Sequence, residues 1–306
     1  NALQDLGELN MGDPATLQDF ITWAKIYYPA KKYALVLWNH GETMSIGNMD
    51  LAKMQGIAWD DSDGNDFLSN AEISTALANV TSNGTKKLEM IGFDACLMAQ
   101  TEIYQHVKAY AKTAVGSEAS EPEDGWQYNN ILGNLVAHPD WDGVLLSKEV
   151  VNKYSFAWVY YPQSSVQFGT AYDTMVSTYF NNFVQAMRNS LLSDLSNIRD
   201  ARNESQSFDV ADYIDLADFA EKLYSRTSNA ATRSAASALK AAMTGTNGVV
   251  TNSKAGTVYP GAKGISIFFP KDKETWNAWK DTYQNNQWPA GDTFWNEFLN
   301  AYYSWD

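Results

Sequence analysis

Two short apolar runs constrain the fold more than any other feature of this chain. Tyr33-Ala34-Leu35-Val36-Leu37-Trp38 and Leu88-Glu89-Met90-Ile91-Gly92-Phe93 are both of strand length, and neither alternates apolar with polar residues. A strand with one wet face alternates with period two. A near-continuous apolar run suits a strand covered on both faces, as in a parallel sheet flanked by helices.

The flanking segments supply those helices. Over 13–28, Asp13 suits the N-cap, Pro14 the first helical position, and Leu17, Phe20, Ile21 and Ala24 share one face before Pro29. Residues 41–68 read as a long, polar, Gly-containing loop. Ser69 and Glu72 then form a capping box ahead of Ile73, Ala76, Leu77 and Val80. A third helix is expected from about 97 to 111, and Thr113-Ala114-Val115-Gly116 reads as a short third strand.

Strand, helix, strand, helix, strand implies an α/β fold with a mostly parallel sheet and right-handed crossovers. Residues 1–150 are expected to form this core. Residues 151–306 should add helices near 172–195, 209–224 and 228–243, a late strand over 264–269 and a Trp- and Tyr-rich helical tail. That second half completes the same domain or is appended to it.

Composition narrows the function. The net charge is −14 and the pI about 4.6, which repels nucleic acid phosphates, keeps the chain soluble and suits cationic substrates. No run of eighteen apolar residues is present, so no membrane span is expected. The one cysteine excludes an intrachain disulfide and leaves the compartment open. Asn1-Ala2-Leu3-Gln4 does not read as a natural start, so upstream sequence is expected to have been removed by processing or design.

In parallel sheets the working groups lie beyond the carboxyl ends of the strands. Those ends carry His40-Gly41, Asp94-Ala95-Cys96 and Ser117-Glu118. A lone cysteine is commonly an inert buried residue, and a histidine after a strand can simply cap the sheet edge. Here the two follow two buried strands that would lie about 4.8 Å apart as neighbours, which places an imidazole beside a thiol. Cys96 also falls where the third helix is expected to begin, and a helix N-terminus favours the thiolate. Gly41 lacks a side chain, so its N–H, with that of Cys96, can form an oxyanion hole.

These segments resemble the clostripain family of cysteine peptidases, which shares the caspase-like fold. The resemblance rests on Trp38-Asn39-His40-Gly41 and Gly92-Phe93-Asp94-Ala95-Cys96-Leu97-Met98-Ala99. Glu8-Leu9-Asn10-Met11-Gly12-Asp13-Pro14, Gly116-Ser117-Glu118 and Glu121-Pro122-Glu123-Asp124-Gly125-Trp126 add to it. It is strongest over about 8–135, with later echoes at 213–219 and 264–270.

The resemblance implies a His40–Cys96 dyad and cleavage of protein or peptide substrates after Arg or Lys. It implies Asp94 and Asp124 as acids of the primary pocket, with Trp126 walling the aliphatic stem. It also implies self-cleavage in the loop after His40, where Lys53 is the one basic residue before Lys86, so Lys53–Met54 is the expected bond. No cofactor is needed for the chemistry. Calcium, required by founding members of the family, is weighed on the acidic segment 60–66. There Asp61, Asp63 and Gly64 fit an EF-hand pattern, but Trp59 and Asn70 occupy its first and last ligand positions. His106 and His138 do not cluster as metal ligands. Export or surface attachment in bacteria is implied, as is a further N-terminal strand from a missing segment or another chain. A Cys amidohydrolase and a non-catalytic binding module of the same fold are the alternatives.

Overall fold

Local chemistry sets the element ends much as the sequence implies. Asp13 accepts a hydrogen bond from the Ala15 N–H at 2.8 Å and caps the first helix. Ser69 and Glu72 form the full reciprocal capping box of the second. The computed structural model describes residues 5–42, 56–286 and 294–305.

In chain order the elements are α1 (Pro14–Tyr27), β1 (Ala34–Trp38), β2 (Gly41–Glu42), β3 (Gly56–Asp60), β4 (Asp66–Ser69), α2 (Asn70–Val80), β5 (Met90–Asp94), α3 (Thr101–Val107) and β6 (Thr113–Gly116). There follow α4 (Tyr128–Ala137), α5 (Gly143–Ala157), β7 (Gln163–Gln167), α6 (Thr170–Thr174), a π-helical segment (Met175–Phe180) and α7 (Asn181–Glu204). The chain continues with β8 (Tyr213–Asp215), α8 (Leu216–Arg226), α9 (Ala230–Thr244), β9 (Val250–Lys254), β10 (Ser266–Phe268), α10 (Lys273–Asn286) and α11 (Phe294–Trp305).

The central sheet has the order β1-β5-β6-β7-β9. Strands β1, β5 and β6 are parallel neighbours, and β7 runs antiparallel between β6 and β9, so four of the five strands point the same way. Leu35, Leu37, Ile91, Phe93 and Ala114 face the larger core, which includes Leu17 and Ile21 of α1, Ile73 and Leu77 of α2 and Ile103 of α3. Val36, Met90 and Val115 face the other way, onto Trp126, Ile131 of α4 and Leu146, Val150 and Tyr154 of α5. The apolar runs are therefore continuous because alternate residues enter two cores, and helices cover both faces. Strands β7 and β9 come from beyond residue 150, so one sheet draws on both halves of the chain.

Several details depart from the sequence reading. The expected loop over 41–68 contains a three-stranded sheet, β2-β3-β4. Its hairpin is held by the Trp59 and Phe67 rings, stacked with centroids 4.3 Å apart, and turns through Gly64 and Asn65, both at positive φ. The third helix is shorter than expected and begins at Thr101 rather than 97. The helix expected from 209 starts at Leu216, where Asp215 ends β8 and caps α8 through the Asp218 N–H. The late strand is β10, which pairs antiparallel with β8 in a separate two-stranded sheet. Phe269 follows it into an aromatic cluster with Phe219, Trp295, Phe298 and Tyr302. Among the described residues no helix is long and apolar enough to cross a membrane.

Candidate active site

In β1 and β5, Trp38 lies opposite Asp94, so the two strands end level and release their following residues on the same side. His40 and Cys96 consequently line one cavity of about 360 Å³, with Trp38, Asn39, Trp59, Asp61, Asp94, Ala95, Glu121, Pro122 and Glu123. His40 is exposed, and its backbone N–H donates to the Asn39 side chain. Gly41 packs so closely on the cysteine turn that a Cβ there would collide with the Cys96 carbonyl oxygen. Glycine is required at this position for the two strand ends to meet.

Cys96 is half-buried. The helix-terminus account of its reactivity does not hold, because α3 starts five residues later, at Thr101. The turn is instead pinned to the segment after β6. The Leu97 N–H donates to the Ala119 carbonyl at 3.0 Å and the Ala99 N–H to the Ser117 carbonyl at 2.9 Å. Leu97 itself is at φ +62°, a conformation a leucine adopts only when its surroundings impose it. The sulfur accepts a hydrogen bond from the Glu121 backbone N–H at 3.2 Å and its thiol donates to the Glu121 carbonyl at 3.8 Å, so the backbone of one residue faces it in place of a helix end.

Below the sulfur lie two carboxyls. Asp94 is buried, and its Oδ2 accepts from the Trp126 N–H at 3.0 Å and the Tyr128 hydroxyl at 2.6 Å. Burial pushes its carboxyl above the usual aspartate range, against the opposing effect of those hydrogen bonds. Glu121 accepts from Trp126 Nε1–H at 3.1 Å and from Gln163 Nε2–H at 3.0 Å. Burial, then the neighbouring Asp94, hold it well above the usual glutamate range.

The other expected site residues are placed differently. Asp124 is exposed and does not line the cavity. Trp126 is buried behind the cavity, with its ring against Gly92, where a Cβ would come within 2.6 Å of it. It holds the two carboxyls in position rather than walling the opening. Lys53 and Met54 lie outside the described residues. Glu121 escaped the sequence reading as a site residue, although it lies in the segment that follows the third strand.

The calcium candidates separate. Asp61 lines the cavity, whereas Asp63 groups with Glu8 and Asp60. Asp60 already accepts from the Met11 N–H at 2.8 Å, the Ser62 N–H at 3.0 Å and the Ser62 hydroxyl at 2.6 Å. These bonds, the one from Met11 foremost, keep its carboxyl below the usual range. Calcium takes six to eight oxygen ligands. Three carboxylates, one of them committed to protein donors, do not fit that requirement. Asp60 instead anchors the 8–12 segment on the hairpin, together with Asn10 Nδ2–H donating to Asp66 at 2.6 Å and Gly12 lying on the Phe67 backbone.

Comparison with known proteins bears on this geometry. The model of the clostripain family matches residues 3–305. The chain belongs to the clostripain family. Clostripain of Hathewaya histolytica is 36% identical over 141 residues, covering 42% of this chain and 26% of that protein. The chain thus spans about a quarter of the curated relative's length in that match. Among solved structures, an inactive zymogen C11 protease from Parabacteroides distasonis aligns with a TM-score of 0.62 at 19% identity, covering 94% of this chain and 78% of that one. A secreted C11 cysteine protease from Bacteroides thetaiotaomicron, in complex with an irreversible peptide inhibitor, aligns with a TM-score of 0.56 at 16% identity, covering 96% and 78%. At these identities the structural likeness concerns the fold, which is the caspase-like α/β arrangement expected from the resemblance. The clostripain-family match also runs through both halves of the chain, as the central sheet does.

Proposed function

We propose that this chain is a cysteine endopeptidase that cleaves after Arg or Lys. The observation that carries the reading is the single cavity that holds His40, Cys96 and the buried Asp94 together. Cys96 Sγ attacks the scissile carbonyl carbon as its proton passes to His40. The oxyanion is held by the N–H groups of Gly41 and Cys96. His40 then protonates the leaving amine, and the C–N bond breaks to leave a thioester. Water, deprotonated by His40, hydrolyses the thioester and restores the thiol. Asp94 attracts the cationic side chain of the substrate into the cavity. Of the two acids expected in the pocket, the reading keeps Asp94, because Asp124 faces solvent.

Autoprocessing is part of the proposal. Lys53 is the one Lys or Arg between His40 and Lys86, so a basic-specific enzyme acting on this segment would cut Lys53–Met54. Secretion is proposed by extension from the solved Bacteroides relative described as secreted. Calcium is given no step, on the donor set around Asp60.

The test uses fluorogenic peptides ending in Arg, Lys or Ala. Wild type should cleave the first two, Cys96→Ala none, and Asp94→Ala should lose the preference. Hydrolysis that survives Cys96→Ala would overturn the reading. Wild type that cleaved small neutral amides instead would identify an amidohydrolase. Incubated alone, wild type should split into two fragments on a denaturing gel while Cys96→Ala stays whole.

A further inference from the structure

The mechanism above leaves Glu121 without a task, although it touches both halves of the site. Its backbone N–H is on Cys96 Sγ and its carboxyl lies against Asp94. We propose that Glu121 is the second carboxyl of the specificity pocket. It shares one proton with Asp94 in the free protein and releases that proton when a guanidinium or ammonium side chain enters beside Cys96. This inference rests on the basic-cleavage reading and adds to it a residue and a proton.

The hydrogen bonds carry the case. Four donors reach the pair: Trp126 N–H and Tyr128 O–H on Asp94 Oδ2, Trp126 Nε1–H on Glu121 Oε2 and Gln163 Nε2–H on Glu121 Oε1. Asp94 Oδ1 remains buried with no such donor, and the Glu121 side chain lies within hydrogen-bonding reach of the Asp94 carboxyl. A buried acceptor is very rarely left unsatisfied. A proton on Glu121 supplies the missing donor and removes the repulsion of two adjacent anions.

The nearby phenols do not supply that donor, since the Tyr104 and Tyr154 hydroxyls are themselves buried without a hydrogen-bond partner. Tyr104 from α3, Tyr128 from α4 and Tyr154 from α5 approach the pair as neutral phenols. At the cavity wall the titratable neighbours are Cys96, His40, Asp61 and Glu123. No Lys or Arg lines the cavity among the described residues. A site with two inward carboxyls and no resident cation is completed by a cation from outside. When one arrives, its charge replaces the shared proton, which leaves for solvent, so one proton is released per basic side chain bound. The same residue that anchors the sulfur then also grips the substrate beside it.

Two profiles on the wild-type protein test this without any variant. Alkylation of Cys96 by iodoacetamide, followed between about pH 5.5 and 8.5, reports how the nucleophile and its base respond to pH when no cation has to be bound. Over the same range kcat/KM for an Arg peptide should show an additional rise with pH, because the free pair must lose a proton to bind the cation. Coincident profiles would overturn the proposal.

Glu121→Gln tests the residue. The substituted amide still offers an acceptor to Trp126 and a donor to Asp94, Gln163 can turn its unpartnered Oε1 toward the new amide, and the backbone N–H stays on the sulfur. The expected result is a tenfold or greater fall in kcat/KM for Arg and Lys peptides, with the additional pH rise abolished and Cys96 alkylation retained. Glu121→Asp, which keeps the charge, should recover part of the loss. If wild type cleaves after Arg and Lys while Glu121→Gln matches it within twofold, Glu121 is structural and the proposal fails alone. If wild type shows no preference for basic residues, the basic-cleavage reading fails and takes this one with it.

Discussion

Glu102 provides a direct test of how this core tolerates charge. The side chain is fully buried on α3. Its Oε1 accepts from the Phe268 N–H at 3.0 Å and the Tyr283 hydroxyl at 2.6 Å, while Oε2 is buried without a partner. Burial lifts its pKa from an ordinary 4.5 to about 7. The gap of about 2.5 in pKa, at ~1.36 kcal/mol for each, is worth ~3 kcal/mol. The sign follows from which state holds the proton. Between pH 4.5 and about 7 the folded protein keeps the Glu102 proton and the unfolded chain does not. The stability linked to this proton is therefore complete below the unfolded value and is lost as pH rises through the folded one. Glu102→Gln preserves the shape and cannot ionise. In urea titrations at several pH values, the stability of the variant relative to wild type should move in its favour by ~2 kcal/mol from about pH 5 to pH 8. A difference that stays constant with pH would show that Glu102 ionises freely in the fold and would refute the reasoning.

Three further perturbations have definite outcomes. Gly41→Ala places a methyl group against the Cys96 carbonyl and should lower kcat/KM on an Arg peptide by about a hundredfold or more; because the obstacle is backbone, the melting temperature should fall as well. Arg202 is buried and donates to the Phe269 and Ala211 carbonyls; Arg202→Ala orphans both and should cost ~3 kcal/mol in urea unfolding. A strong chelator should leave the hydrolysis of Arg peptides unchanged, since Asp60 is occupied by protein donors; loss of activity restored by added calcium would overturn that assignment.

The legible parts of the fold are those whose stabilisation is local or buried on two sides. Strands β1 and β5 show as apolar runs because each residue enters one core or the other. The α2 capping box is satisfied within four residues. The hairpin β3–β4 was hidden because its strands are short and depend on contacts from Asn10 and Gly12, about fifty residues away. The early start assigned to the third helix followed from Leu97-Met98-Ala99, which are good helix formers. Backbone bonds to Ala119 and Ser117 override that preference and force Leu97 to positive φ. His40 and Cys96 were legible because a parallel pair brings its ends together whatever lies between. Glu121 was not, since its aim is set by Trp126 and by Gln163, which lies 42 residues further along.

The cysteine turn is also tied to the far end of the chain. The Ser266 N–H donates to the Ala99 carbonyl at 2.9 Å, the Thr101 hydroxyl to the Ser266 carbonyl at 2.9 Å, and the Phe268 N–H to Glu102 at 3.0 Å. These bonds bridge some 165 residues of chain. Closing so large a loop is slow and comes late in folding, and on the ribosome it cannot happen until β10 has emerged. A nascent chain therefore carries its nucleophile long before it has the surroundings that would hold it, and synthesis order alone delays assembly of the site until β10 has been made.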